Sequence, residues 1–391
     1  MDRLQRLRDA GVSIWLDTLS RDLLDSGAFA ELVRDYAVTG ATSNPTIFAK
    51  AILGSDCYDE QLRAAVAAGV RDPQALFFAL GLEDIRRAAE VLRPAYGAST
   101  GIDGFVSFEC TPDVADDTQA TIAQALELWG RLGLPNVLIK VPATAAGVPA
   151  IQELTARGVN VNVTLLFSID RYEQVIGAYL AGLERRVGQG EPIDRLRSVA
   201  SFFVSRVDTK ADAQLEAGSP LRGRVAIANA QIAYARYRAR FAGQRWATLA
   251  RHGARPQRPL WASTGTKDPA YSDVVYVERL VAADVINTMP EQTLRAFAQH
   301  GTIGPVLDAD PSGAEHVLAA AAAAGVDLSA ITAALEREGV QSFADSYTEL
   351  VRCIEYKRAQ IAKDLSTGLG NVERGRRVHP GGRDASPPSP A

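Results

Sequence analysis

Cysteine and histidine are scarce in this chain, and each scarcity excludes a class of site. Only three of the 391 residues are cysteines, and they lie far apart, so neither a disulfide framework nor a zinc-binding spacing is visible. The four histidines are never paired at ligand spacing. That argues against a histidine-based metal site and against a Ser-His catalytic triad. Few, unpaired cysteines fit a reducing compartment.

Excess charge and long apolar segments are also lacking. The net charge is −4, and no basic cluster is interleaved with aromatic residues, which argues against a nucleic-acid partner. Residues 1–10 have no apolar core of the kind found in signal peptides. The alanine-rich stretch 314–335 contains Glu315, His316 and Asp327, which is typical of a packed helix rather than a membrane span. We therefore expect a cytoplasmic protein with no membrane partner.

Lysine is rare as well, and one lysine stands in an apolar run. The chain has six lysines against 36 arginines. Lys140 interrupts the apolar segment 136–144. A buried, unpaired ammonium tends to lose its proton, and the neutral amine is then a nucleophile for carbonyl carbons, a chemistry that arginine lacks. The alternative is a lysine at a strand end that reaches water or pairs with a carboxylate.

Short β-type runs alternate with helical patterns along the chain. Such alternation predicts a parallel sheet with covering helices, and eight runs fit a closed (β/α)8 TIM barrel with additional helices. A doubly wound sheet shows the same alternation, but no G-x-G-x-x-G follows any strand, which weakens a dinucleotide-binding interpretation. The predicted strands are 13–18, 38–44, 104–110, 136–142, 159–167, 198–204, 259–264 and 284–288.

The domain organisation follows from the same pattern. We predict one α/β barrel domain over residues 1–370, with a largely helical insertion at about 45–103 and further helices at about 290–366. Residues 371–391 are rich in Gly, Pro and Ser, and we expect a disordered tail.

Polar residues recur near the carboxyl ends of the predicted strands. Residues two apart in a strand share a face, so one face of nearly every strand carries a polar or ionisable group and the other is aliphatic. Polar groups gathered at the carboxyl mouth of a barrel describe an active site. The candidates are Asp17, Thr42, Asn44, Glu109, Lys140, Asn162, Thr164 and Ser201.

Each candidate also has a purely structural interpretation. Asp17 could cap a following helix, and Asn44, before a proline, could be an ordinary turn residue. Glu109 could simply form a salt bridge with the lysine. Asn162 and Thr164 could be hydrogen-bonding groups of the barrel interior. The convergence of all of them on one mouth favours a functional site.

Three segments, in this order, resemble the transaldolase family. They are Thr42-Ser-Asn-Pro45, Ile139-Lys-Val-Pro-Ala-Thr144 and Asn162-Val-Thr-Leu-Leu-Phe-Ser168. Weaker matches lie at 16–20, 106–109 and 201–206, and the similarity spans roughly residues 1–370. The resemblance implies a (β/α)8 barrel whose Schiff-base lysine, here Lys140, lies on the fourth strand.

The resemblance also implies catalytic roles. Lys140 would attack the ketose carbonyl and form an iminium, which is an electron sink for cleavage of the adjacent C–C bond. Asp17 would remove the proton from the hydroxyl on the leaving carbon. Glu109 and Thr164 would position a water that shuttles protons.

Other matched residues would bind substrate. Thr42, Asn44 and Asn162 would line the site of the three-carbon dihydroxyacetone unit, with the two asparagines holding its hydroxyls. Ser201 and Arg206 would hold the sugar phosphate, for which the planar guanidinium is well suited.

One segment departs from the family pattern. Many transaldolases have an arginine after the seventh strand, whereas here Lys267 follows Ser263 in a longer stretch. The resemblance implies that Lys267 takes over a phosphate contact and that Ser263 adds a hydroxyl. The alternative for Lys267 is a solvated loop cation.

The implied activity is that of a transferase, a transaldolase of the non-oxidative pentose phosphate pathway. It would move a dihydroxyacetone unit between sedoheptulose 7-phosphate or fructose 6-phosphate and glyceraldehyde 3-phosphate or erythrose 4-phosphate. The substrate would be held through the Lys140 Schiff base alone, with no cofactor and no metal. Sugar phosphates are thus the expected partners, and assembly as a homodimer stays open.

Two other functions would also fit a barrel of this kind. Fructose-6-phosphate aldolases share the barrel but usually carry Gln at the position of Glu109 and Tyr at the position of Phe203, and we hypothesise that Phe203 limits water-assisted protonation of the enamine. A non-catalytic sugar-phosphate-binding barrel would not need the lysine, the glutamate and Asp17 all intact.

Overall fold

Eight parallel strands close into a barrel in chain order, which confirms the predicted fold. The computed structural model describes residues 2–43 and 45–376, with side chains for all of these except 45–47 and 364–376. Each strand pairs with the next along the chain, and the eighth pairs with the first. The strands are β1 (Val12–Leu16), β2 (Val38–Thr42), β3 (Phe105–Glu109), β4 (Val137–Pro142), β5 (Val161–Leu166), β6 (Ser198–Phe203), β7 (Arg258–Ala262) and β8 (Val285–Met289).

Helices connect the strands, and several connections carry more than one. A short 3-10 helix, Pro112–Val114, precedes the helix after β3. The α-helices are α1 (Arg3–Asp9), α2 (Arg21–Asp25), α3 (Ala28–Asp35), α4 (Pro45–Gly54), α5 (Asp59–Ala67), α6 (Pro73–Ala98), α7 (Thr118–Leu132), α8 (Gly147–Ala156), α9 (Ile169–Gly188), α10 (Ser205–Asp212), α11 (Val225–Arg240), α12 (Gln244–Arg251), α13 (Val275–Arg279), α14 (Glu291–His300), α15 (Ser312–Ala323) and α16 (Leu328–Arg376).

The extra helices lie where the sequence places them. Helices α4 to α6 occupy the stretch 45–103, and α14 to α16 follow β8. Helix α16 extends to Arg376, six residues into the segment expected to be a tail, and residues 377–391 lie outside the described part of the chain.

Successive side chains along each strand point alternately into the barrel and out toward the helices, and this gives two separate apolar clusters. One cluster lies inside the barrel and the other lies between the barrel and the helices, as a strand with two buried faces requires. On β4, for example, Leu138 belongs to the interior cluster, whereas Ile139 and Val141 pack against helices. The interior layer consists of Trp15, Phe105, Leu138, Val199, Leu260, Ala262 and Ile286.

Trp15 fills most of this layer on the side of β1 and β2. A Cβ atom at position 40 would lie 2.4 Å from the indole, so only glycine fits beside the ring. The indole nitrogen of Trp15 donates a hydrogen bond of 2.9 Å to Oδ1 of Asp103, in the loop before β3. The ring is therefore fixed both by packing and by a buried polar partner.

The alanine-rich stretch 314–335 forms parts of two helices separated by a sharp bend. Within the described residues no single helix is long and apolar enough to cross a membrane. The helix pair 312–323 and 328–363, bent by 93°, is long and apolar enough when taken together, by length and composition alone. In the structure α15 packs against α11, where Ala314 is buried with Ala228 and Ile232.

Candidate active site

Lys140 and Glu109 form an ion pair at the carboxyl end of the barrel. The two residues stand directly opposite each other in the register of β3 and β4. Nζ of Lys140 lies 3.2 Å from Oε2 of Glu109, and the side chains are only 12% and 9% exposed. The salt bridge that the sequence allowed as an alternative to a free amine is therefore present.

This pair can nevertheless produce a nucleophile. Burial raises the pKa of Glu109, while the charge of Lys140 and its hydrogen bond act in the opposite direction. A carboxylate with a raised pKa accepts a proton readily, and it is in direct contact with the ammonium. Transfer of one proton from Nζ to Oε2 leaves a neutral amine and a neutral acid without changing the charge of the site.

Asp17 lies just beyond the end of β1, close to the lysine. Its backbone N–H donates to the carbonyl of Met289 on β8, which extends the barrel by one residue. Burial raises the pKa of Asp17, whereas a hydrogen bond from Thr18 and the charges of Lys267 and Lys140 lower it. Both lysines therefore act on this carboxylate. Asp17 caps no helix, because Ser20 is the N-cap of α2.

Asn162 is held in a chain of hydrogen bonds across the barrel interior. Its Nδ2 donates to Oγ of Ser107 over 2.9 Å, and its Oδ1 accepts from Oγ of Ser201 over 2.7 Å. Asn162 is also the register partner of Lys140. The amide of Asn162 is thus held between two buried hydroxyls beside Lys140.

Thr164 and Thr42 complete the interior at this level. Thr164 is fully buried opposite Pro142, and its hydroxyl has no hydrogen-bond partner among the described residues. A buried hydroxyl without a partner is costly, so Thr164 has capacity for a water or a substrate atom. Thr42 is buried at the end of β2, and Asn44 lies outside the described residues.

Arg206 and Phe203 lie together where β6 meets α10. The guanidinium of Arg206 stacks over the Phe203 ring, with Cζ 5.4 Å from the ring centroid, and Phe203 in turn packs on Phe167 at 5.2 Å. Burial lowers the pKa of Arg206, and Glu338 on α16 acts against that change. Glu338 itself is paired with Lys210, whose Nζ lies 2.8 Å from its Oε1. Arg206 is therefore a partly desolvated cation suited to an anion.

Ser263 and Lys267 follow β7 on the neighbouring side of the mouth. Ser263 has a positive φ of 56°, and its hydroxyl lies 2.9 Å from that of Ser205, the residue before Arg206. Lys267 is exposed, but its charge lowers the pKa of Asp17, so it is close enough to the mouth to affect the site. Ser263 thus contacts the residue next to Arg206, and Lys267 adds a positive charge that acts on Asp17.

Similarity to known proteins decides the family. A profile described as Transaldolase/Fructose-6-phosphate aldolase matches residues 14–354. A transaldolase of Saccharopolyspora erythraea is 51% identical over 355 residues, which is 90% of this chain and 96% of the relative. Those of Acidothermus cellulolyticus and Thermobifida fusca are 51% and 50% identical over 358 and 354 residues, covering 90% and 89% of this chain and 96% of each relative. This chain belongs to the transaldolase/fructose-6-phosphate aldolase family.

In this family member the long helix α16 packs along one side of the mouth. Gly339 lies over β5, and a Cβ atom there would be 3.0 Å from Leu165, which itself has a positive φ of 59°. Further along, Phe343 and Tyr347 share a small crevice with Glu109. The sequence left open whether the C-terminal helices cover the barrel, and the structure places α16 on its own barrel.

Two carboxylate–phenol contacts, which the sequence did not single out, join α10 to the segment after β7. Tyr276 donates to Asp208 over 2.9 Å, and Tyr271 donates to Asp212 over 2.8 Å. The aspartates are on α10, which carries Arg206, and the tyrosines belong to the segment after β7. The partners in each pair are some 60 positions apart, and no local sequence pattern predicts that such an Asp and Tyr are in contact. Only the fold brings them together.

Proposed function

We propose that this protein is a transaldolase, a transferase that moves a dihydroxyacetone unit from a ketose phosphate to an aldose phosphate. Sugar phosphates as the substrate class follow from the family. The observation that carries the mechanism is the buried contact of 3.2 Å between Lys140 and Glu109, with Asp17 in the field of the same lysine.

The first half of the reaction forms the Schiff base. Glu109 takes a proton from Nζ, and the neutral amine attacks the C2 carbonyl of the ketose to give a carbinolamine. A water held by Glu109 and Thr164 carries protons so that hydroxide leaves as water, and an iminium remains. The two oxygens suit this task because one is a carboxyl with a raised pKa and the other has an unused hydrogen-bonding capacity.

The second half breaks and remakes a C–C bond. Asp17 removes the proton from the C4 hydroxyl, the C3–C4 electron pair moves to the iminium, and the first aldehyde leaves. The resulting enamine attacks the carbonyl carbon of the second aldehyde, whose oxygen takes the proton back from Asp17. Hydrolysis then frees the new ketose and Lys140. The iminium supplies the electron sink, so we expect no cofactor.

Substrate contacts follow from position. Asn162 and Ser201 are already bonded to each other beside Lys140, so both would bind hydroxyls of the three-carbon unit. Arg206 would bind the phosphate, with Lys267 and Ser263 on the facing side. This assigns Ser201 to the three-carbon unit rather than to the phosphate, because its hydroxyl is buried against Asn162.

Borohydride trapping tests the proposal. Fructose 6-phosphate plus reductant should add a three-carbon mass to the peptide that contains Lys140, and the Lys140→Ala variant should take up none. Mass on another peptide, or on none, would overturn the mechanism.

An assay with and without an acceptor separates transfer from simple aldol cleavage. A transaldolase should release little free dihydroxyacetone unless an aldose phosphate is present to accept the unit. Release without acceptor at the rate of acceptor-dependent turnover would instead identify a fructose-6-phosphate aldolase.

A further inference from the structure

A second cavity, of about 240 Å³, lies at the opposite end of the barrel from Lys140. Its floor is the apolar layer of the barrel interior, represented by Trp15, Phe105, Leu138 and Val199. Phe105, Leu138 and Val199 lie in the first halves of their strands, and Trp15, on β1, precedes Asp17 by two residues. Glu109 and Lys140 lie near the carboxyl ends of β3 and β4. The apolar layer therefore separates the two sites.

Three arginines line this amino-end cavity: Arg197, Arg255 and Arg258. In the described part of the chain none has a carboxylate oxygen within 4 Å. Arg197 donates to the backbone carbonyls of Asp194, Leu196 and Gly101, and Arg258 to those of Ile102, Asp284 and Val285 and to the Ser13 hydroxyl. Neutral acceptors thus hold two guanidiniums in place without cancelling their charge.

The third arginine adds to the positive excess. Arg255 is exposed, and its side chain makes no hydrogen bond among the described residues. Burial lowers the pKa of Arg197, whereas the phenols of Tyr179 and Tyr96 and the carboxylate of Asp194 raise it. The charge of Arg255 lowers the pKa of Arg197 further, because the two cations repel each other. Among the described residues that line the cavity, Asp284 alone is acidic, so three cations face one carboxylate on a chain whose net charge is −4.

We propose that this cavity binds a small aromatic carboxylate. Its ring would pack on the floor formed by Trp15 and Phe105, beside Tyr237, and its carboxylate would lie between Arg255 and Arg197. Aromatic rings favour contact with other rings, and a guanidinium binds a carboxylate through paired hydrogen bonds. The cavity volume lies below the usual range of ligand sites, which limits the ligand to a single ring. The site is separate from the proposed reaction and does not depend on it.

Calorimetric titration of the full chain with benzoate tests the site, with benzamide as the neutral probe of the same shape. We expect saturable benzoate binding and no measurable benzamide binding. Arg255→Ala should weaken benzoate binding by about tenfold or more, the loss of one charge-assisted contact. The fold should be unaffected, because this side chain is exposed and unbonded.

Two matched variants make the result decisive. Arg195→Ala removes an exposed arginine from the same region that does not line the cavity, and it should bind benzoate as the wild type does. Arg206→Ala should also bind normally, since Arg206 is at the other end of the barrel. Absent benzoate binding, equal binding of benzamide, or loss of binding in Arg206→Ala but not in Arg255→Ala would overturn the proposal.

Discussion

At the scale of single residues, the Schiff-base role proposed for Lys140 has to be reconciled with its buried ion pair. A buried ion pair favours a charged, unreactive amine, yet a Schiff-base lysine must be neutral when it attacks. Because burial raises the pKa of Glu109, one proton can pass across the 3.2 Å contact. The salt bridge and the nucleophile are thus two protonation states of the same pair.

Replacing Lys140 should abolish turnover without unfolding the barrel. Lys140→Arg keeps a cation beside Glu109 but cannot form an iminium, so we expect turnover to fall by at least about 1,000-fold. Lys140→Ala should be equally inactive, and its buried glutamate would become protonated. Steady-state assays and thermal unfolding of both variants check this. Substantial activity in Lys140→Arg would contradict the Schiff-base role.

The pH dependence of turnover should reflect the ionisation of the Asp17 carboxyl. The charge of Lys267 lowers the pKa of this carboxyl, so its removal in Lys267→Ala should raise that pKa. The base form would then be lost at a higher pH, and the acidic limb of kcat should move upward relative to the wild type. Lys267→Arg, which keeps the charge, is the control. If the acidic limb of the kcat–pH profile is the same in all three proteins, Lys267 does not act on Asp17 during turnover.

Phe203→Tyr should raise the ratio of aldol cleavage to transfer. A phenol at this position can hold a water that protonates the enamine and releases dihydroxyacetone, which the phenyl ring cannot. Phe203→Leu removes the ring without adding a hydroxyl and should leave the ratio low. The comparison requires the release of dihydroxyacetone with and without acceptor. A ratio unchanged in the tyrosine variant would count against Phe203 in this role.

At the scale of elements, two contacts align the cationic parts of the mouth. The bonds of Asp208 and Asp212 to Tyr276 and Tyr271 tie α10 to the segment that follows β7. Arg206 is on the first of these elements and Lys267 is on the second. These contacts therefore hold together the two elements that carry Arg206 and Lys267.

The stability of this link should depend on pH. Burial raises the pKa of Asp208 to about 6, aided by Asp212, against hydrogen bonds from Ala226, Tyr276 and Val225. A carboxyl whose pKa is higher in the folded state stabilises that state while protonated, and the contribution is lost as pH rises through the folded pKa. Between pH 5 and pH 7.5 the wild type should lose about 1.4 kcal/mol relative to Asp208→Asn.

Urea unfolding of both proteins at the two pH values checks this difference. Asp208→Asn has no titrating carboxyl at the position, so every other group cancels in the comparison. A wild type that gains stability over the variant as pH rises would show that the folded pKa of Asp208 is lowered instead.

The strands and their faces could be predicted from the sequence, whereas the links between elements could not. All eight strands end within two residues of the predicted limits, because the alternation of side chains that marks a strand is local, as in Ile139, Lys140 and Val141. The bonds from Asn162 to Ser107 and Ser201 join residues 55 and 39 positions apart. No local pattern specifies such partners. The 208–251 pattern likewise concealed three helices.

At the scale of the whole molecule, α16 links distant parts of the fold. Lys210 and Arg171 pair with Glu338 and Glu336 in the first part of α16, while Lys357, past its middle, pairs with Asp59 on α5. Composition predicted a helix there but not which face of the barrel it covers, because that depends on contacts across the whole chain. The homodimer and the cytoplasmic location stay predictions.

Enlarging Gly339 should disturb this docking. In Gly339→Leu the new side chain would meet Leu165, since even a Cβ atom lies 3.0 Å away. We expect a loss of about 1–3 kcal/mol of stability and a lower kcat. Gly130→Leu, on α7 with nothing within 4 Å of its would-be Cβ, is the matched control. Equal melting temperatures for the two variants would show that α16 is not held closely at this point.

The apolar layer around Trp15 has a consequence for the order of events. This buried layer fills the barrel interior below Lys140, so in the proposed mechanism substrates would reach the lysine from the carboxyl end of the barrel. In the proposed reaction the first aldehyde leaves through the same opening by which the second enters. The enamine stays bound to Lys140 between the two events. Exchange should therefore follow a ping-pong sequence, and double-reciprocal plots at several acceptor concentrations should be parallel.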